Sequence, residues 1–206
     1  MAVVSISRQY GAGGQVIGEM VAQRLGYRLV NRAILTEVAQ KAGVSVRSVE
    51  DAEKEAGGLL SRLVSELVKS STYVRNLPDY SATFDENDYR AFLKRVISDM
   101  AAQGSLVIVG RGSQFVLRDH PGAVRVMLVA QEEDRIARLM SHYKLDRDKA
   151  EQVARREEKK RIAFLKTFDS SRDPDDPSLY HLVLNTSLVG LELAADIIAQ
   201  LARAQG

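Results

Sequence analysis

A chain of 206 residues that is 45% hydrophobic and 27% charged is long enough for one core and has the composition of an ordinary soluble globular protein. Its net charge of +2 is too close to neutral to favour nucleic acid as a partner, and the absence of cysteine excludes disulfides, thiol nucleophiles and cysteine-bound zinc. Because the N-terminus enters a strand pattern directly and no apolar run could cross a bilayer, we expect a cytoplasmic protein without a membrane partner.

The first predicted elements are a buried strand, a glycine-rich turn and a helix. Val3, Val4 and Ile6 form a short apolar run, and an apolar helical face then continues to about Leu25. This order aims backbone N–H groups and the positive end of a helix dipole at one point, which favours phosphate. The predicted phosphate-binding residues are Gly11, Ala12, Gly13, Gly14, Gln15 and Val16. The alternative is an ordinary tight turn between a strand and a helix.

This turn lacks two side chains that a catalytic phosphate loop normally carries. When the pattern G-x-x-x-x-G-K-[ST] is placed with Gly13 as its second glycine, Gly14 stands at the lysine and Gln15 at the hydroxyl residue. The lysine would reach the β- and γ-phosphates, and the hydroxyl would bind Mg²⁺. Arg8 stands at the first glycine position and brings a positive charge to the loop.

The rest of the chain alternates helical and strand patterns. Further helices are predicted after Asn31, in two pieces within 45–75, and at 85–102, 131–143, 146–166 and 189–203. Further strands are predicted at 28–30, 105–109, 124–129 and 182–184. Continuous apolar strands separated by helices indicate a parallel sheet covered on both faces. An apolar stripe at 59–68 indicates either a subdomain core or the seam of a homodimer.

Three predicted strands are followed by arginines. Arg8 leaves the first strand, Asn31 and Arg32 leave the second, and Arg111 leaves the third between two glycines. Ligands of parallel sheets bind beyond the carboxyl ends of the strands, and each guanidinium can hold two phosphate oxygens. Convergence of these arginines on a glycine loop favours a phosphate-bearing ligand. Taken singly, each arginine could instead cap carbonyl groups or pair with surface acids.

A strongly charged segment occupies the helix at 146–166 and the loop behind it. Its mixed charges are typical of a solvated helix face with i,i+4 pairs such as Glu157 and Arg161. The alternative is a mobile lid that brings cations onto transferring phosphates. The loop at 169–177, rich in proline and aspartate, is consistent with a hinge.

Five segments in order along almost the whole chain resemble the cytidylate kinase-like family, a divergent branch of the P-loop nucleoside monophosphate kinases. They are residues 6–14, 25–32, 107–112, 132–138 and 180–187. The resemblance implies an α/β fold, a P-loop NTPase-like parallel five-stranded sheet with helices on both faces, an inserted helical subdomain and a lid. It implies one domain, with a core at 1–31 and 101–206, a substrate-binding insertion at about 32–100 and a lid at about 155–177.

The resemblance also implies ATP-dependent phosphoryl transfer to a nucleoside monophosphate such as CMP, or to a related small phosphate-bearing molecule, with Mg²⁺ as cofactor. Residues 11–16 would wrap the ATP phosphates. The acceptor would contact Asn31, Arg32 and Arg111, and the lid would contribute Lys159 and Arg161. The predicted catalytic residues are Arg8, Arg111 and Arg161, and no metal ligand is identified.

Several residues depart from the family pattern. Cytidylate kinases carry a lysine and a hydroxyl residue in the phosphate loop, and aspartates where this chain has Asn31, Val109 and Gly112. We expect Arg8 to replace the lysine charge, and Ser5 or Ser7 to replace the magnesium ligand. The alternative function is a catalytically silent nucleotide- or anion-binding sensor. The retained arginines and the basic lid favour the kinase.

Overall fold

The computed structural model of the protein describes residues 2–31 and 86–206. Its five strands are β1 (Val3–Arg8), β2 (Arg28–Val30), β3 (Leu106–Val109), β4 (Ala123–Val129) and β5 (Leu182–Asn185). The helices of this part are α1 (Gly14–Leu25), α2 (Glu86–Ala102), α3 (Ser113–Val116), α4 (Glu132–Tyr143), α5 (Arg147–Lys166), α6 (Thr186–Val189) and α7 (Leu191–Gln205). The predicted helices between Asn31 and residue 75, the apolar stripe at 59–68 and Arg32 lie outside the described residues.

The five strands form one parallel sheet in the order β2-β3-β1-β4-β5. This confirms the predicted sheet and its strand direction. Ile6 of β1 lies level with Val109 of β3 on one side and Val126 of β4 on the other. Since all strands run the same way, the segments that leave their carboxyl ends share one rim of the sheet.

Both faces of the sheet are buried under helices, which explains the continuous apolar strands. Val3, Leu106 and Ile108 face the cluster that includes α2. Val4 and Val107 face the opposite cluster, which includes α1 and α7. Successive strand residues therefore enter different cores, so most strand positions are apolar, and two exceptions, Ser5 and Ser7 of β1, are small and buried.

The last third of the chain differs from the predicted pattern at one point. The predicted helix at 189–203 is interrupted by Gly190, whose φ is 75°, so that α6 ends before it and α7 begins after it. Among the described helices, none is long and apolar enough to span a membrane. The division into core, insertion and lid stays a prediction.

Candidate phosphate-binding site

The turn between β1 and α1 has a backbone shape that requires glycine. Gly11 and Gly13 have φ values of 87° and 82°, a region that side chains rarely adopt. A Cβ atom at Gly11 would lie 2.9 Å from the Cβ of Arg135, and one at Gly13 would lie 2.6 Å from the Cδ2 of Leu191. Both conformation and space therefore fix these two residues as glycine.

All carbonyl oxygens of residues 9–13 accept hydrogen bonds from the protein. The donors, in chain order, are Ala12 N (3.1 Å), Arg135 Nη1 (3.5 Å), Arg138 Nη1 (3.3 Å), Thr186 Oγ1 (3.1 Å) and Ile17 N (3.0 Å). The first helical hydrogen bond of α1 is the one from Ile17, so the N–H groups of residues 14–16 precede it and have no intrahelical acceptor. With its carbonyl groups held by the protein, the loop presents N–H groups to a ligand.

Two arginines of α4 support the loop and were not among the predicted site residues. Arg138 bridges the loop to the end of β5, because its Nη1 also donates to Thr186 Oγ1 at 3.2 Å. Arg135 packs against Gly11, and its Nε is buried without a hydrogen-bond partner. The sequence contains one signal for these two arginines. They lie three residues apart at the start of a helix that follows a strand, which places both on one helical face.

The loop is also tied to the hairpin formed by α4 and α5. Tyr10 packs against a buried cluster of Ile136, Leu139, Ala150 and Ala154 from these two helices. The Tyr10 hydroxyl lies 3.3 Å from the hydroxyl of Tyr143. The sheet, α4 and α5 therefore all contact the phosphate loop.

Arg8 runs beside the position that a lysine would take in a common phosphate loop. A Cβ atom at Gly14 would lie 2.7 Å from the Cγ of Arg8 and 3.0 Å from its Cδ. The guanidinium end reaches Gly110, where a Cβ atom would lie 2.0 Å from Arg8 Nη1. The side chain thus spans the gap between the phosphate loop and the end of β3, so its charge lies between the two predicted subsites.

Arg111 occupies a strained turn at the end of β3. Gly110, Arg111 and Gly112 have φ values of 79°, 59° and 69°, and a non-glycine residue in this region costs about 1 kcal/mol or more. The Arg111 guanidinium lies 6.0 Å from the centroid of the Phe164 ring, a cation–π distance. A Cβ atom at Gly112 would meet Phe168 at 2.7 Å. The end of α5 therefore covers Arg111, and the protein maintains its strained backbone.

Of the other residues predicted to bind the acceptor or the metal, those that the structure describes lie at or near the same rim. Asn31 follows Val30, which pairs with Ile108, and so Asn31 lies level with the end of β3. Arg32 falls outside the described residues. Ser5 is fully buried and its hydroxyl lies 2.7 Å from that of Ser113, so it is occupied inside the sheet. Ser7 is also buried, with 2% of its surface exposed, one residue before Arg8.

The two predicted lid cations have different environments. Lys159 is exposed, whereas the Arg161 side chain is only 10% exposed and contacts two carboxylates. Arg161 Nε and Nη2 donate to Glu158 Oε1 at 3.0 and 2.6 Å, and its Nη1 donates to Asp175 Oδ1 at 2.9 Å. Burial acts to lower the pKa of Arg161, but the hydrogen bonds to both carboxylates outweigh it and raise the pKa above its ordinary value.

The predicted pair of Glu157 and Arg161 is wrong. Glu157 contacts Arg156 and Lys160 instead, with nitrogen–oxygen distances of 2.9 and 3.2 Å. Arg161 reaches Glu158 because the helix turns these two side chains toward the phosphate loop, where Glu158 Oε2 accepts a hydrogen bond from Tyr10 N at 2.8 Å. The interpretation of this segment as a fully solvated face therefore fails at Arg161.

Metal-binding groups are sparse in the part of the chain that the structure describes, which holds no cluster of three acidic or histidine side chains. Gln15, at the hydroxyl position, donates from Nε2 to Glu19 Oε1 at 2.6 Å on the surface of α1. The neighbouring Val16 is 43% exposed. Mg²⁺ is commonly held by one or two carboxylates together with substrate phosphates and water. The described residues around the loop therefore form no dedicated protein cage for a metal ion.

Comparison with protein families gives one match, in which the model of the cytidylate kinase-like family covers residues 3–188. No curated protein matches the chain.

Solved structures resemble the fold at low sequence identity. An uncharacterized protein from Eubacterium ventriosum superposes with a TM-score of 0.69 at 16% identity, covering 99% of both chains. Shikimate kinase from Acinetobacter baumannii gives 0.52 at 17% identity, covering 99% of this chain and 94% of that one. Shikimate kinase from Bacteroides thetaiotaomicron gives 0.53 at 11% identity, covering 98% of both. At these identities the likeness shows a shared fold.

Proposed function

Because the chain belongs to the cytidylate kinase-like family, we propose that it transfers a phosphoryl group from ATP to a nucleoside monophosphate such as CMP, or to a related small phosphate-bearing acceptor. Family membership supports phosphoryl transfer in general. The nucleotide, the acceptor and the roles of individual residues are parts of the proposal.

The observation that carries the proposal is the orientation of the loop between β1 and α1. The carbonyl oxygens of residues 9–13 all accept hydrogen bonds from the protein. One loop N–H, that of Tyr10, already donates to a carboxylate. A loop that holds its carbonyl groups inward and binds an anion through N–H is suited to the phosphates of ATP.

The charged residues around the loop supply the roles that phosphoryl transfer needs. Arg8 would place its charge between the ATP phosphates and the acceptor, in place of the missing lysine. Arg111 would bind the acceptor phosphate at the end of β3, and Arg161 would approach from α5. The transfer itself needs in-line positioning of two substrates and neutralisation of the charge that spreads over the transferred group. No covalent intermediate on the protein is required.

Magnesium, when bound with ATP, would supply positive charge that neutralises part of the charge of the phosphates. Of the two serines considered as its ligand, Ser5 contacts Ser113 inside the sheet, and Ser7 lies one residue before Arg8 and contacts Tyr180.

A catalytically silent nucleotide- or anion-binding sensor is the second candidate, and the residues missing from the loop favour it. Gly14 and Gln15 replace the lysine and the hydroxyl residue of an active loop. The loss of a charge that follows the γ-phosphate through the transition state can cost several kcal/mol. Arg8 favours the kinase, since its stem passes Gly14 and carries the guanidinium charge across to Gly110 at the end of β3.

The experiment that tests the proposal is isothermal titration of the protein with ATP, with and without Mg²⁺, followed by a screen for ADP release over nucleoside monophosphates. We expect binding and turnover with one acceptor. Binding without turnover of any nucleoside monophosphate would favour the sensor. An absence of ATP binding would contradict both candidates.

A matched pair of glycine variants links binding to the loop. Gly11→Ala introduces a Cβ atom at a φ of 87° and within 2.9 Å of Arg135. Gly26→Ala introduces the same strain at a φ of 66°, but in open space at the far end of α1. We expect Gly11→Ala to abolish ATP binding and Gly26→Ala to retain it.

A further inference from the structure

The carboxylate of Glu158 joins the phosphate loop to the predicted lid cation. Its Oε2 accepts a hydrogen bond from Tyr10 N at 2.8 Å, and its Oε1 accepts from Arg161 Nε and Nη2 at 3.0 and 2.6 Å. Hydrogen bonds of an ionised acceptor are roughly twice as strong as those between neutral groups. A single side chain therefore uses one oxygen for the loop and the other for the arginine.

Asp175 holds the same arginine from the loop that follows α5. Its two oxygens accept from Arg161 Nη1 at 2.9 Å and Nη2 at 2.5 Å. Side-chain exposure is 10% for Arg161, 19% for Glu158 and 26% for Asp175, so this group is partly withdrawn from water. Two carboxylates surround one guanidinium, and one of them, Glu158, also contacts the phosphate loop.

We infer that Glu158 is an internal anion that occupies the phosphate loop in the empty protein and leaves it when a phosphate group of ATP arrives. This inference rests on the proposed function, because it assumes that the loop binds ATP. Tyr10 directly precedes the predicted phosphate-binding residues 11–16, so a phosphate bound there would repel the Glu158 carboxylate and compete with it for the Tyr10 N–H. Departure of Glu158 removes one of the two carboxylates that hold Arg161, and the freed donors of Arg161 then face the incoming phosphate.

The consequence is a protein whose nucleotide affinity is reduced by its own side chain. The measured affinity falls by the fraction of molecules in which the loop is open. The same exchange links the lid to the nucleotide, because Arg161 changes its partner only when the loop is occupied. A resting contact of this kind keeps the arginine away from phosphate until ATP is present.

The test is isothermal titration of the full chain with ATP and Mg²⁺, comparing the wild-type protein with Glu158→Gln. The variant keeps the size of the side chain but removes its charge, and we expect it to bind ATP about tenfold more tightly. Glu157→Gln is the matched control, because Glu157 is its neighbour on α5 and contacts Arg156 and Lys160. Asp175→Asn is the second control, because it weakens the hold on Arg161 without touching Tyr10.

The outcomes separate this inference from the proposed function. Tighter binding in Glu158→Gln, with both controls near the wild-type affinity, supports the inference. Equal affinities in the wild-type protein and Glu158→Gln overturn it and leave ATP binding intact. Tighter binding in Asp175→Asn to the same degree also overturns it, because the effect would then come from Arg161 alone. An absence of ATP binding in every protein refutes the proposed function.

A second measurement does not depend on the variant. The amide resonance of Tyr10 reports its hydrogen-bond partner, so we expect it to shift when the wild-type protein is titrated with inorganic pyrophosphate. Saturation with pyrophosphate without a shift of this resonance would overturn the inference. Glu158→Asp, which keeps the charge but shortens the reach by one methylene, is expected to bind ATP more tightly, as Glu158→Gln does.

Discussion

A methyl group placed on Gly14 measures how closely Arg8 follows the phosphate loop. Gly14 opens α1 and has a backbone that accepts other residues, so only its neighbours oppose a side chain. A Cβ atom there would lie 2.7, 3.0 and 3.1 Å from the Cγ, Cδ and Cβ of Arg8. These are the near atoms of the arginine stem, which cannot move aside without moving the whole side chain. Gly14→Ala therefore tests the placement of Arg8 directly.

The expected magnitude follows from two opposing terms. Overpacking by one methyl group typically costs about 1–3 kcal/mol, whereas replacing glycine by alanine in a helix gains about 0.5–1 kcal/mol. We expect Gly14→Ala to lower the free energy of unfolding by about 1 kcal/mol in the wild-type background. In an Arg8→Ala background the methyl group has room, and the same change should raise the free energy of unfolding by about 0.5 kcal/mol.

The assay is urea denaturation of the four proteins of this double-mutant cycle. The difference between the two backgrounds gives a coupling energy of about 1.5 kcal/mol, well inside the range for residues in contact. The cycle subtracts whatever Arg8→Ala costs on its own. A coupling energy below about 0.5 kcal/mol would refute the placement of Arg8 and, with it, the argument that Arg8 replaces the missing lysine.

Three further predictions concern the supports of the site. Arg161→Ala leaves two carboxylates without their shared cation, and since these are partly exposed we expect a loss of about 2 kcal/mol in the free energy of unfolding, below the ~3–5 kcal/mol of a fully buried pair. Thr186→Val removes the hydroxyl that donates to the carbonyl of Ala12 at 3.1 Å. Because an unsatisfied buried carbonyl costs about 1–3 kcal/mol, we expect urea denaturation to show a loss of this size in the free energy of unfolding. Burial, and then the charge of Arg125, lower the pKa of His181 below its ordinary value of 6.5 in the folded protein. The unfolded chain therefore binds the imidazole proton more tightly than the folded chain does. The free energy of unfolding should fall as the pH drops below about 6.5. His181→Asn should remove this part of the pH dependence.

Each of these predictions has a control. Lys159→Ala alters an exposed residue on the same helix as Arg161 and should change the unfolding free energy by less than about 0.5 kcal/mol. Thr167→Val removes a hydroxyl that donates to Phe164 O at the end of α5, and since the backbone N–H of Thr167 also donates to this carbonyl, the unfolding free energy should change by less than about 0.5 kcal/mol. Above about pH 7.5 the imidazole is neutral in both the folded and the unfolded state. The difference in unfolding free energy between the wild-type protein and His181→Asn should therefore stay constant with pH there. A difference that keeps growing above that pH would contradict the assignment.

The sheet and the glycine loop were open to prediction because local physics decides them. Strands buried on both faces are apolar at most positions, and the turn after β1 needs glycine for both conformation and space. Parallel strands then bring Arg8, Asn31 and Arg111 to one rim without any further information.

The supports of the site were not open to prediction in the same way. Glu157 and Glu158 are adjacent acids on one helix, and helical spacing alone allows Arg161 to pair with either. The choice depends on which of the two faces Tyr10, and that depends on how α5 packs against α4. Asp175 lies 14 residues from Arg161, and Thr186 lies 174 residues from Ala12, so no local pattern could join these pairs.

Tyr10 has a consequence for protein engineering. Its backbone belongs to the phosphate loop, but its ring is packed among side chains of α4 and α5. A helical hairpin taken from another protein of this fold would have to supply a matching cavity for this ring, or the graft would distort the loop that it is meant to cover. The loop and the hairpin therefore form one exchangeable module, and chimeras should be cut outside both of them.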